Sequence, residues 1–211
     1  MVIKGLTVGP IMANCYILGC KTSKAAAVID PGDETDRILQ VLAQEGLRAE
    51  TIINTHGHFD HVGGNRRLKE VTGAELIIHP LDAPMLGELS AAASSWGMVA
   101  EDSPGPDRTV DEGDTISIGT IQVEVIHTPG HTPGGICLHT EGHLFTGDTL
   151  FVGGIGRTDL PGVDTATLLA SIREQILPLP DSMRLFPGHG PDTTVGLERR
   201  SNPFVLQMLN G

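Results

Sequence analysis

Short apolar runs that end at a glycine-flanked histidine or aspartate recur along this chain, and they constrain its fold more than any other feature. The run TII leads into NTHGHFDHVGG, which carries His56, His58, Asp60 and His61. Further along, VEVIHTPG leads to His131, HLFTG to Asp148 and RLFPG to His189. β-Branched apolar residues favour strands, and glycine turns punctuate them. Each of these polar residues is therefore expected at the tip of a strand.

The remaining pattern fills in the elements. Strands are expected over residues 2–8, 11–18 and 25–29, the third closing at Asp30 before the turn pair Pro31-Gly32. Residues 34–46 carry Ile38, Leu39 and Leu42 at helical spacing. A strand over 51–54, a short helix over 65–71, a strand over 75–79 and a helix over 81–96 with Pro84 in its first turn complete the first half. From residue 109 to 150 the character changes: strand-length runs at 116–118, 121–126, 135–138 and 143–146, separated by Gly and Asp turns, read as a meander. Asp164 is placed to cap a helix bearing Leu168, Leu169, Ile172 and Ile176. A last strand over 183–186 and a helix over 194–209, broken by Pro203, follow; residues 101–108 (EDSPGPDR) are expected as a surface loop. Two halves of similar organisation predict two sheets packed face to face with helices outside.

Composition narrows the function. At 211 residues and a net charge of −12, with no basic run, the chain is poorly suited to neutralising phosphates, so no nucleic-acid partner is expected. Cys15, Cys20 and Cys137 show no CxxC spacing and read as reduced thiols of a cytoplasmic protein. The start MVIKGLTVGP lacks the apolar core of a signal peptide. No apolar run approaches the ~20 residues that a membrane span requires, so no membrane partner is expected either.

The chemistry lies in the polar residues at the turns. His56 and His58 are two apart, so in an extended segment they face the same way, whereas the adjacent Asp60 and His61 must project differently. One ion cannot easily take all four; two ions could share them. Adding His131, Asp148 and His189 gives five histidines and two aspartates. Such N and O donors suit zinc, iron or manganese. The lack of cysteine in these turns argues against a thiolate-rich structural zinc site. His79, His127, His139 and His143 lack ligand spacing and are read as ordinary loop or strand residues.

His56-x-His58-x-Asp60-His61, followed in order by His131, Asp148 and His189, resembles the metallo-β-lactamase superfamily over nearly the whole chain. The resemblance implies an α/β fold, a four-layer αββα sandwich in which two mixed β-sheets pack face to face with helices outside. Residues 1–211 would form that single domain, with the site on the edge between the sheets. It also implies two divalent metal ions, zinc ahead of iron or manganese. His56, His58 and His131 would hold one, Asp60, His61 and His189 the other, with Asp148 bridging both.

Within the superfamily, GDTLFVGGIGRTDLPG at residues 147–162 and the ending GPDTTVGLERRSNPF resemble the short bacterial glyoxalase II-like hydrolases, which cleave thioesters such as S-lactoylglutathione. Full-length glyoxalase II continues into a helical C-terminal domain, which this chain is expected to lack. Where that enzyme has a Lys followed closely by a Tyr, this chain has Arg157 and Asp159, and Arg157 is the candidate contact for a substrate carboxylate. The implied reaction is attack on the thioester carbonyl by a hydroxide held between the two ions, with Asp60 and Asp148 as catalytic residues. A thiolate whose conjugate acid has a pKa of about 8.5 leaves without a strong general acid. The expected partner is a small-molecule thioester, glutathione-derived esters included. The competing reading is a persulfide dioxygenase, a group that shares the GRTD motif and uses a single iron on residues equivalent to His56, His131 and Asp148. Ile155 stands where that group commonly has a cysteine. His58 replaces the Glu of the flavodiiron enzymes, and a bridging Asp148 is a feature that the true β-lactamases lack; β-lactam and RNA substrates fit less well. A non-catalytic metal-binding protein is the third reading. No sequence feature bears on oligomeric state.

Overall fold

The structure, a computed structural model, describes residues 1–159 and 163–210. The LPG end of the GRTDLPG motif lies outside the described residues. The first half runs β1 (Val2–Val8), β2 (Ala13–Gly19), β3 (Ala25–Ile29), α1 (Thr35–Glu45), β4 (Arg48–Ile53), α2 (Phe59–Val62), α3 (Asn65–Thr72), β5 (Glu75–Ile78), a 3-10 turn at Ala83–Gly87, α4 (Leu89–Ser95) and β6 (Arg108–Thr109). The second half runs β7 (Thr115–Ile118), β8 (Ile121–His127), β9 (Ile136–Thr140), β10 (His143–Gly147), and a ribbon of β11 (Leu150–Phe151) and β12 (Gly154–Ile155). It continues with α5 (Thr165–Ser171) and a π-helical extension at Ile172–Ile176, then β13 (Arg184–Pro187), β14 (Thr193–Thr194), α6 (Val195–Ser201) and α7 (Pro203–Asn210).

Two six-stranded mixed sheets result, in the orders β1-β2-β3-β4-β5-β6 and β14-β13-β10-β9-β8-β7. The β7–β10 stretch is the expected meander, each neighbour antiparallel to the next. β13 joins it parallel to β10 after the α5 crossover.

The central strands β2, β3 and β10 are buried on both faces, and the two-residue side-chain period divides their residues between layers. In β2, Ile17 faces the helices of the first half while Tyr16 and Leu18 face the opposite sheet. The same alternation places Leu76 and Ile78 outward and Ile77 inward in β5, and Leu144 outward and Phe145 inward in β10. Helices α1 and α3 cover the first sheet through Ile38, Leu42 and Leu68. α5 and its extension cover the second through Leu168, Ile172 and Ile176. The layers are therefore α, β, β and α, as expected.

Asp164 caps α5, accepting from the N–H groups of Ala166 and Thr167. Two expectations need correction. Residues 81–96 are not one helix: Pro84 removes a donor and Gly87 is a poor helix former, so the segment splits into the 3-10 turn and α4. β2 begins at Ala13 rather than residue 11, because Met12 adopts a left-handed turn conformation with φ 59°. Residues 101–107 form the expected surface loop, in which Ser103 is buried and accepts a hydrogen bond from Asn65, and Arg108 pairs within the sheet. The three cysteines are buried and unpaired. Among the described residues no helix is long and apolar enough to cross a membrane.

Candidate metal centre

All seven expected donors reach one edge of the sandwich. β4 ends three residues before His56, and His58 precedes α2, which carries Asp60 and His61. From the second sheet, the turn after β8 carries His131, Asp148 follows β10 and His189 follows β13. The first sheet grips this last turn. Ala13 bridges His189, Asn14 Nδ2 donates to the carbonyls of Pro187 (3.0 Å) and Gly190 (2.8 Å), and the Tyr16 hydroxyl donates to Pro187.

The donors form two groups. His56, His58 and His131 offer ligand atoms within 4.8 Å of one another, and so do Asp60, His61 and His189. His58 Nδ1 lies 2.9 Å from His131 Nε2, and His61 Nε2 lies 3.2 Å from His189 Nε2. Asp148 sits between the groups: its carboxylate oxygens are 3.5 Å from His131 Nε2, 3.4 Å from His61 Nε2 and 3.6 Å from His189 Nε2. His56 Nε2 and Asp148 Oδ1 are buried without a hydrogen-bond partner. A buried polar atom left unpaired costs about 1–3 kcal/mol, so lone pairs converging on a shared space call for a cation. The residues fit divalent metal ions.

Two aspartates that the sequence reading did not single out orient these donors. Asp30, buried at the end of β3, accepts from the Thr55 N–H (2.7 Å), the Thr55 hydroxyl (2.6 Å) and His61 Nδ1 (3.1 Å). The Thr55 oxygen lies 3.1 Å from His56 Nδ1, so one carboxylate directs a histidine in each group, leaving the Nε2 atoms for the centre. Asp82, fully buried, accepts from the N–H of Gly57 (3.0 Å), between His56 and His58, and from that of Gly134 (2.7 Å), three residues after His131. It ties two donor loops from different sheets together. His131 Nδ1 in turn donates to the Arg157 carbonyl at 2.9 Å. Close approach at the centre also demands glycine: a Cβ on Gly188 would stand 2.2 Å from Asp148 Oδ1.

The two groups differ electrostatically in the metal-free chain. Burial, reinforced by neighbouring histidines, pushes His56 well below its ordinary range and His58 down to about 4. His61 moves the other way, up to about 10: burial opposes protonation, but Asp148, Asp30 and Asp60 outweigh it. His189 is raised despite burial by its hydrogen bond to Asp60 and by Asp148. Burial alone would raise Asp60, yet His189 and His61 hold it well below the usual carboxylate range.

A cleft of about 640 Å³ opens onto the centre. Phe59, Met85, Trp96, Phe151 and Ile155 give it an apolar wall, and Glu88 and Arg157 add charge. Arg157 forms a two-pronged ion pair with Asp159, Nε to Oδ1 at 2.8 Å and Nη2 to Oδ2 at 2.9 Å. Its guanidinium carbon lies 5.0 Å from the Trp96 ring centroid.

A further cluster, His79, Asp111 and His127, assembles nearby. The two imidazoles stack with an interplanar angle of 8° and centroids 4.3 Å apart. Lone pairs lie in the ring plane, so two parallel stacked rings cannot both aim at one ion. His79 Nδ1 accepts from the Leu81 N–H, which leaves its proton on Nε2, toward Asp111. The ordinary reading of His79 and His127 stands on that geometry.

Comparison with known proteins gives the same picture. A family profile described as the metallo-beta-lactamase superfamily matches residues 8–189. The hydroxyacylglutathione hydrolase GloC of Haemophilus influenzae is 40% identical over 97% of this chain and 98% of its own length. A hydroxyacylglutathione hydrolase of a Polaromonas species is 37% identical over 90% of this chain and 66% of its own length. Among solved structures, BLEG-1, a B3 metallo-beta-lactamase, superposes with a TM-score of 0.90 at 36% identity, covering 97% of this chain and 99% of that one. TTHA1623, in a di-iron-bound form, gives 0.88 at 40% identity, covering 95% and 99%. ETHE1 from Myxococcus xanthus gives 0.81 at 28% identity, covering 100% and 91%. Its fold, its gathered donors and these relatives make the chain a member of the metallo-β-lactamase superfamily.

Proposed function

We propose that the protein is a metal-dependent hydrolase of small-molecule thioesters, its acyl half being a hydroxyacyl group as in the names of its relatives. The observation that carries this reading is the place of Asp148, whose carboxylate lies within 3.6 Å of histidines from both donor groups. In this reading His56, His58 and His131 would hold one divalent ion, Asp60, His61 and His189 a second, and Asp148 would touch both. Zinc is the expected metal, and the di-iron form of TTHA1623 favours iron as the other candidate. When bound, such ions acidify water toward neutral pH and polarise a carbonyl as Lewis acids.

The chain's own residues supply the rest. Asp60 lines the cleft and stays ionised, so its carboxylate can accept a hydrogen bond from the attacking water and aim its lone pair. Asp30 and the Arg157 carbonyl hold His61 and His131 in the orientation that presents Nε2 inward. The apolar wall around Phe59, Trp96 and Phe151 excludes bulk water from the ester. The departing thiolate needs no strong acid, its conjugate acid having a pKa of about 8.5.

Asp148→Ala is expected to lower thiol release from S-lactoyl thioesters at least ~100-fold and to reduce bound metal below two ions per chain, as measured by elemental analysis. Near-normal turnover by this variant would overturn the two-ion reading. A chromogenic β-lactam in the same assay tests the activity named for BLEG-1, and slower turnover than with the thioester is expected. The second reading, a persulfide dioxygenase using one iron on His56, His131 and Asp148, draws on the likeness to ETHE1. Fast oxygen uptake with glutathione persulfide in an oxygen electrode would favour it over hydrolysis.

A further inference from the structure

We propose that the cleft selects thioesters whose thiol-derived half carries no net negative charge, which makes glutathione esters poor substrates beside esters of neutral thiols. The inference rests on the thioesterase reading and specifies its substrate class.

Recognition of a carboxylate is strongest with an available cation, and an Arg fork is the group best shaped for it. The chain has 14 lysines and arginines, and Arg157 is the one that lines the cleft. Residues 160–162 and 211, outside the described residues, are Leu, Pro, Gly and Gly and add no cationic side chain. One fork edge of Arg157, Nε with Nη2, is already engaged by both oxygens of Asp159, which also offset its charge. Its face lies against Trp96. Arg157 with its partner therefore presents a flat, charge-compensated wall rather than an anion anchor.

The other charges at the mouth have the wrong sign for an anion. Glu88 lines the cleft itself. A neighbouring groove shares the Ile11, Phe59 and Asp60 wall and adds Asp33 and Glu101. Arg66, near Glu101, is paired with it at 3.0 Å and also donates to the Asp102 carbonyl. A glutathione ester would bring two carboxylates and one ammonium past this acidic rim, whereas a neutral thiol would meet Phe59, Met85, Trp96, Phe151 and Ile155 without desolvating an anion.

The test compares S-lactoylglutathione with S-lactoyl-N-acetylcysteamine on the zinc-loaded protein. The neutral ester is expected to have at least a tenfold higher kcat/KM. Asp159→Ala, which releases the Arg157 fork, is expected to narrow that ratio at least threefold through a lower KM for the glutathione ester. The double variant Asp159→Ala/Arg157→Ala should lose this gain, a pattern that mere loosening of the loop does not produce. Calorimetric binding of the unreactive thioethers S-propylglutathione and S-propyl-N-acetylcysteamine reads recognition without turnover, and the neutral one is expected to bind more tightly. A glutathione ester used as well as or better than the neutral ester overturns this inference alone. Absence of turnover of both esters, together with absence of binding of both thioethers, overturns the thioesterase reading and this inference with it.

Discussion

Asp30 occupies the left-handed region at φ 51°, a conformation that costs a non-glycine residue of order 1–3 kcal/mol. The strain persists because three groups depend on its carboxylate, among them His61. This has a measurable consequence in metal-free protein. His61 titrates at about 10 in the folded chain against an ordinary 6.5, so its stabilisation is complete below pH 6.5 and is lost as pH rises through 10. His58, pushed down to about 4, works on the acid side: stability falls as pH drops from 6.5 toward 4. Thermal unfolding of the metal-free protein is therefore expected to peak near neutral pH. Asp30→Asn should flatten the alkaline fall, and an unchanged slope would sink the account. The five histidines and two aspartates could be read from spacing and flanking glycines alone. Asp30 and Asp82 could not, because their partners are backbone and side-chain groups that only the folded chain brings near. An Asp before Pro31-Gly32 at a strand end was the one available hint for the first.

At the scale of elements, the split of residues 81–96 is what makes Asp82 useful. A continuous helix would have left its carboxylate on the first turn as a cap; in the 3-10 turn it makes no side-chain cap and reaches Gly57 and Gly134 instead. Removing it as Asp82→Ala orphans two buried N–H groups at about 1–3 kcal/mol each. Each kcal/mol lowers the melting temperature of a chain this size by about 2–4 °C. Metal affinity is expected to fall ~10–100-fold in a chelator competition, the usual cost of losing a supporting partner. Wild-type affinity in a variant with a lowered melting temperature would assign Asp82 to folding alone. The strand tips were legible because an apolar run and a glycine mark each one. The helix was not, because its Ala and Leu content matched helical periodicity while Pro84 and Gly87 set the outcome.

For the whole molecule, the inter-sheet core is the hinge of the design. Tyr16, Phe145 and Phe186 pack there with ring centroids 5.1–5.6 Å apart. Phe145→Ala is expected to cost about 3–5 kcal/mol in chemical denaturation and to weaken metal retention at the same time, since that core sets how the two donor-bearing sheets meet. Loss of stability with full metal retention would show the edge to be independent of the core. The layered architecture followed from the similar element order of the two halves, whereas the placement of β13 beside β10 did not, because that pairing is made across a long crossover with no local signal.

The grip of Ala13, Asn14 and Tyr16 on the His189 turn carries one more implication. The second strand of the chain holds the last of the seven donors, so a growing polypeptide closes the site only after residue 189 has left the ribosome and swung back to the beginning. Until then the six earlier donors form an incomplete set. Completion of the set therefore reports that the two sheets have come together.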